Sequence, residues 1–273
     1  MGKALLLHQA PFGQNSGTSG VKLTTINFSP LWIRMASVVG VLAIWQISVE
    51  FVEADVLPAP YLVLRSLIYH TGDGELLLHV GVTLIRVLIS FTLAMAFGVT
   101  LGIIMGRFKQ WDAALDGILV LALNLPALVI IILCYLWFGL GEFAAILAVT
   151  INKFPIVVVN MREGARAVDQ DLLQVSEVFR LNPRRRLFQV YLPQLYPYLL
   201  ASARSGLALV WKIVLVVELL GRSDGVGFKL GIFFQFFDIA SILAYSFAFI
   251  IVVMAIEYRL IVPLERRLTV WRT

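Results

Sequence analysis

The sequence predicts an all-α membrane protein of six transmembrane helices with both termini in the cytoplasm. Three observations carry that prediction. Hydrophobic residues make up 60% of the 273 and charged residues only 14%, where a water-facing domain keeps roughly a quarter of its residues charged; mean hydropathy is +0.89. Six apolar segments each approach the about 20 residues that a helix needs to cross a hydrocarbon core of about 30 Å. The lysines and arginines between these segments are divided very unevenly.

In chain order, residues 1–30 read as a flexible cytoplasmic tail. GQNSGTSG at 13–20 has no apolar periodicity, and the basic start and apolar core of a signal peptide are missing, so the first span serves as an uncleaved insertion signal. A transmembrane domain covers 31–265. Its spans are expected at 31–50, 79–105, 118–138, 143–160, 195–220 and 239–262, and residues 266–273 form a short cytoplasmic tail. Gly98, Gly102 and Gly106 recur every fourth residue in the second span, a stripe that lets another helix approach closely. Pro126 and Pro155 interrupt the third and fourth spans; each frees a carbonyl and reads either as a kink or as part of a cavity lining.

An even number of spans puts both ends on one side. That side holds Lys3, Lys22 and Arg34, then Arg107 and Lys109, then six arginines in the 161–194 loop, and finally Arg266, Arg267 and Arg272: fourteen basic residues. The opposite connections hold three, Arg65, Arg222 and Lys229. The fourteen mark the cytoplasm. The net charge of +5 thus reads as topology signalling, not as a nucleic-acid surface, because the cations sit in short separate loops.

The chain lacks the signatures of an enzyme. There is no phosphate loop; GRSDGVG (221–227) has no Lys-Ser/Thr pair. HExxH, CxxC and a nucleophile elbow are also absent. The lone Cys134 packs as a small hydrophobe, and His8, His70 and His79 have no metal-ligand spacing. Any ATP and magnesium chemistry therefore belongs to another chain.

The most informative segment is QVSEVFRLNPRRRLFQVYLP (174–193), a charged stretch between long apolar spans. Upstream, Val168, Leu172, Val175 and Phe179 fall on one helical face, and Asp169 and Asp171 sit where a helix N-terminus favours negative charge. Asn182-Pro183 reads as an N-cap followed by proline at the first helical position. A second short helix should run to about Tyr191 and stop before Pro193. The result is a helix–turn–helix elbow on the cytoplasmic membrane face. On physics alone, a docking device and a solvated loop facing the headgroups both remain open.

This loop resembles the signature loop of binding-protein-dependent ABC importer permeases: Glu-Ala-Ala, three residues, Gly, nine residues, Ile-x-Leu-Pro. Counting back from Pro193 gives Leu192, Val190 at the Ile position, Arg180 at the Gly position and Gln174-Val175-Ser176 at Glu-Ala-Ala, without a gap. LPAPYLVLRSL (57–67), TLIRVLISF (83–91), LWFGLGE (136–142), Glu218-Leu219 before DGVG (224–227) and RRLTVW (266–271) resemble the nitrate/sulfonate/taurine branch. The resemblance implies a type I importer permease in a bacterial inner membrane. It implies a homodimeric or heterodimeric pore, with a second permease copy the simplest partner, two cytoplasmic ATPase subunits whose groove takes the coupling loop, Phe179 included, and an extracytoplasmic solute-binding protein. An ion-coupled carrier or channel subunit would explain the spans but not the loop spacing. Two positions depart from the pattern. Gln174 lacks the glutamate charge, and Arg180 stands where a glycine would end the helix in a left-handed conformation: either it adopts that conformation at a cost on the order of 1 kcal/mol, or the helix continues and the elbow takes a different angle.

Charged residues within spans mark paired interior sites or water-lined paths. The candidates for a translocation path are Arg86, Lys153, Lys212 and Glu218. Arg86 and Glu218 match family positions and read as an ion pair or helix anchor. For Lys153 and Lys212 two readings stand: a positive field for an anionic solute, or snorkelling side chains.

Overall fold

The computed structural model describes residues 30–51, 56–261 and 263. The N-terminal tail to residue 29, the acidic residues Glu53 and Asp55, and the C-terminal arginines with the RRLTVW motif lie outside the described residues. The chain falls into two compact units, one ending at Ile44 and the other beginning at Trp45. Helix α1 (Pro30–Phe51) occupies the position of the first expected span, but its apolar stretch Met35–Phe51 is shorter than the helices long enough to cross a membrane. All the helices after α1 lie in the second unit.

Every regular element among the described residues is helical. After α2 (Pro60–Gly72), which opens with proline in its first turn, come α3 (Glu75–Arg107), α4 (Lys109–Asn124), α5 (Ala127–Phe138) and α6 (Glu142–Arg166). The central contact is α3 against α6. A Cβ built on Gly98 would lie 2.6 Å from Val157 Cβ, one on Gly102 2.7 Å from Met161 Cβ, and one on Gly106 2.5 Å from Ala165 Cβ. Both helices advance by four residues per contact, so a ridge of one meets the glycine groove of the other. The stripe is a packing device.

The third expected span is not one helix. α4 and α5 meet at a 98° bend. Pro126 pushes Leu125 out of the helical region to ψ 126°, and the chain restarts at Ala127 with Pro126 as its cap. Pro155, by contrast, stays buried inside a continuous α6. α3, α6 and the two C-terminal helical runs, 183–221 and 239–259, are each long and apolar enough to cross a membrane. A fifth crossing results when the bent pair counts as one span.

The second correction concerns Pro193. The loop contains α7 (Gln170–Val178) and α8 (Pro183–Arg186). α8 does not stop before Pro193; it passes through one π-turn, 187–191, into α9 (Leu192–Gly221). In that turn Leu192 N reaches back five residues to Leu187 O. The wider turn relieves the clash that proline makes with the carbonyl four residues earlier. α10 (Val226–Gln235) and α11 (Ile239–Ile256) complete the unit. Its core joins α3, α5, α6, α9, α10 and α11 through Val87, Ile131, Val149, Val214, Val226 and Tyr245.

Candidate functional site

The elbow is built by local hydrogen bonds. Asp169 caps α7, its Oδ1 accepting from Asp171 N at 2.8 Å and Leu172 N at 3.4 Å. The far end closes with two reversed bonds: Arg180 N donates to Glu177 O (2.8 Å) and Leu181 N to Ser176 O (3.0 Å). That pattern requires a left-handed residue at the turn, and Arg180 supplies it with φ 49°. Asn182 Oδ1 then accepts from Arg184 N at 3.2 Å, with Pro183 at the first position of α8. Because Arg180 already adopts the glycine conformation, the elbow keeps the geometry that glycine would give. Arg180→Gly is expected to stabilise the protein by about 0.5–1 kcal/mol, the left-handed penalty exceeding glycine's unfolded-state freedom. Thermal unfolding should shift upward by roughly 2 °C; a fall would contradict a strained turn.

The apolar face of α7 is narrower than the sequence spacing indicates. Val168 precedes the helix cap and is buried with Tyr191 and Leu195. Leu172, Val175 and Phe179 remain exposed, Phe179 to 75%. With Val190 and Pro193 they line a groove of about 530 Å³. Ser176 is buried and its hydroxyl donates to Leu173 O, whereas half-buried Leu192 packs into the cluster around Val157 and Leu195. Gln174 points elsewhere: it lines a separate polar cleft with Arg107.

A second constellation lies at the opposite end of the bundle. Arg86, on α3, is 2% exposed and uses all five guanidinium N–H groups. Nε and Nη2 grip the two oxygens of Glu142 at 2.6 and 2.8 Å. Nη1 donates to Glu218 Oε1 (2.8 Å) and Asp224 O (3.0 Å), and Nη2 to Asp224 Oδ1 (2.5 Å). Glu218, fully buried on α9, accepts at its other oxygen from Thr83 Oγ1 and Gly227 N, each at 2.9 Å. Thr83 Oγ1 in turn accepts from Val226 N, and His79 Nδ1 from Gly225 N. Arg222 adds a bond to Glu142 at 2.9 Å. Burial alone would push the Asp224 carboxyl up, but the Arg86 guanidinium holds it below its usual value, with Arg222 assisting. Arg86 and Glu218 are therefore brought together as a structural clamp, pinning the 221–227 turn to α3 and to the start of α6. The sequence reading missed Glu142, Asp224, Arg222 and Thr83 as its members, although LWFGLGE and DGVG contain two of them.

The two lysines are not brought together. Lys153, fully buried in the seam of α6 and α9, donates to Ser202 O at 3.2 Å and lies against Gly206. Lys212 is exposed on α9 and lines a cleft of about 320 Å³ with Arg204, Trp211, Phe249 and Glu257. Trp211 and Phe249 meet edge to face, their ring centroids 5.6 Å apart.

Residues 98–260 match the family described as binding-protein-dependent transport system inner membrane component. The chain is 31% identical over 234 residues to a putative aliphatic sulfonates transport permease protein of Bacillus subtilis, covering 85% of this chain and 84% of that one. It is 28% identical over 253 residues to the taurine transport system permease protein of Escherichia coli, with 89% and 92% coverage. It is also 30% identical over 211 residues to a nitrate import permease protein of Synechocystis, with 74% and 76% coverage. Among solved structures, inward-facing forms of the MetNI methionine ABC transporter share the fold, with a TM-score of 0.59 at 16% identity, covering 77% of this chain and 98% of that one.

Proposed function

Because the chain belongs to the binding-protein-dependent transport system inner membrane components, we propose that it forms half the pore of an ATP-driven importer of small anions, fed by an extracytoplasmic binding protein. It is a multi-pass inner-membrane transport subunit and not an enzyme; hydrolysis belongs to a separate chain. In this reading 31–265 is the transmembrane domain, 161–194 its cytoplasmic coupling loop, and 1–30 and 266–273 are cytoplasmic tails. ATP and magnesium reside on two ATPase partners.

The observation that carries this reading is the elbow. An amphipathic helix capped at both ends holds Leu172, Val175 and Phe179 away from the core, over a groove completed by Val190 and Pro193. Exposed apolar residues on a rigid, charged loop fit insertion into a groove of a partner. The break at Asn124, Leu125 and Pro126 supports a second copy. These residues are exposed in the single chain, and non-helical backbone at membrane depth needs protein or a water-filled path beside it. A two-fold pair is the simplest closure.

The named solutes of the relatives, aliphatic sulfonates, taurine and nitrate, all carry clustered anionic oxygens. The exposed Lys212 ammonium in its cleft suits such solutes, whereas Lys153 is sealed in the seam of α6 and α9. Uptake of radiolabelled taurine, an alkanesulfonate and nitrate by cells expressing the importer tests this. Lys212→Met should reduce uptake about tenfold with unchanged membrane content, the cost of roughly one charge-assisted contact. Full uptake would remove Lys212 from the path.

A further inference from the structure

The polar face of α7 covers a cleft of its own. Gln170, Gln174 and Glu177, spaced four and three apart, turn toward the bundle while Leu172, Val175 and Phe179 turn away. A hollow of about 400 Å³ lies under them, and one of about 340 Å³ adjoins it, the two sharing Arg107, Gln170, Leu173 and Tyr191. Three arginines border this space, but their status differs. Arg166 is held by Asp112 at 2.5 Å and Glu163 at 3.0 Å, and Arg186 by Glu177 at 2.5 Å. Arg107, the last residue of α3, has no carboxylate within ion-pair distance among the described residues; its guanidinium rests over the Phe108 ring at 5.9 Å. Beside it Tyr191 is 7% exposed, and its hydroxyl is buried without a hydrogen-bond partner. A buried hydroxyl left unsatisfied is costly unless a ligand or water completes it.

We propose that this cleft binds a phosphate-bearing anion, the headgroup of an acidic phospholipid, between Arg107, the Tyr191 hydroxyl and the Gln174 amide. The inference rests on the placement of the 161–194 loop at the cytoplasmic face. Arg107 and Arg166 end their helices there, at headgroup depth, where basic pockets between membrane helices take acidic lipids. Guanidinium and phosphate pair bidentately, the hydroxyl and amide each supply a donor, and the paired carboxylates leave one cation uncompensated. Gln174 gains a reason in this arrangement. A glutamate there would place its own carboxylate beside Arg107 and exclude the anion. A bound headgroup would tie the end of α3 to α7 and to the π-turn, making the position of the coupling elbow responsive to lipid charge.

Native mass spectrometry of the full-length chain in detergent tests this, with titration by phosphatidylglycerol, by phosphatidylcholine and by glycerol phosphate. One phosphatidylglycerol should be retained in preference to phosphatidylcholine. Arg107→Gln and Gln174→Glu should each weaken retention by at least about tenfold, and Tyr191→Phe by roughly threefold or more. Arg185→Gln, a change in an exposed arginine that does not line the cleft, should leave it unchanged. Gln174 is exposed, so its variant reports even if Arg107→Gln folds poorly. Competition by millimolar glycerol phosphate assigns the same site to a soluble phosphate. Equal retention of both lipids, or loss only in Arg185→Gln, overturns the site. The measurement needs no ATPase, so its failure leaves the docking role of α7 standing, and a failure of ATPase docking leaves this result readable.

Discussion

Replacing Arg86 by methionine is expected to destabilise the protein by about 3–5 kcal/mol, because it leaves the fully buried Glu218 without its cation. The loss extends beyond one pair. All five donors of Arg86 are engaged, and two of them hold Asp224 of the 221–227 turn to α3, alongside the bonds from Val226 N to Thr83 and from Gly225 N to His79. Arg86→Lys should recover only part of the loss, since an ammonium cannot grip Glu142 with two parallel bonds while reaching Glu218 and Asp224. By contrast, Lys229→Gln removes a pair whose Glu75 partner is half exposed and should cost under roughly 1 kcal/mol. Thermal unfolding of the purified variants checks both. Equal shifts for Arg86→Met and Lys229→Gln would show that the clamp does not hold the fold.

The second large effect falls on coupling and not on folding. Phe179→Asp and Val175→Asp put charge on an apolar face that is exposed in the isolated chain, so the fold should change by no more than about 0.5 kcal/mol. In the complex these side chains are the anchors of the proposed docking face, and burying an unpaired carboxylate there should weaken ATPase association by at least about thirtyfold. Solute-stimulated ATP hydrolysis should fall accordingly at limiting ATPase. Variants that fold normally and retain full stimulation would move the docking surface off α7.

These two predictions differ in how far the sequence announced them. The elbow was legible because its signals are local. An aspartate before an amphipathic run, Asn182-Pro183, and the spacing to Pro193 each act within a few residues, and the caps form where those residues stand. The turn at Arg180 was only half legible: the glycine position of the pattern suggests a left-handed helix end, an arginine there allows the helix to continue instead, and the backbone takes the first course with φ 49°. The π-turn was not legible. Proline ordinarily stops a helix, and only the packing of Tyr191 and Leu195 against α6 makes a widened turn the better outcome. The clamp was half legible: an arginine and a glutamate inside apolar spans must find partners, but their separations of 56 to 138 residues carry no periodic signal. The third span failed for a simple reason. Hydropathy counts apolar residues and is blind to the direction of the chain, so a 98° bend at Pro126 leaves the count unchanged.

A separate motor docked on α7 is the proposed drive for this chain. Affinity purification of the tagged full-length chain from membranes that also contain its neighbouring transport proteins tests it most directly. A docked motor predicts recovery of a phosphate-loop ATPase at one copy per copy of this chain, lost in Phe179→Asp while the chain itself remains in the membrane. A well-folded chain that carries no ATPase, or one whose ATPase is retained in Phe179→Asp, would contradict it.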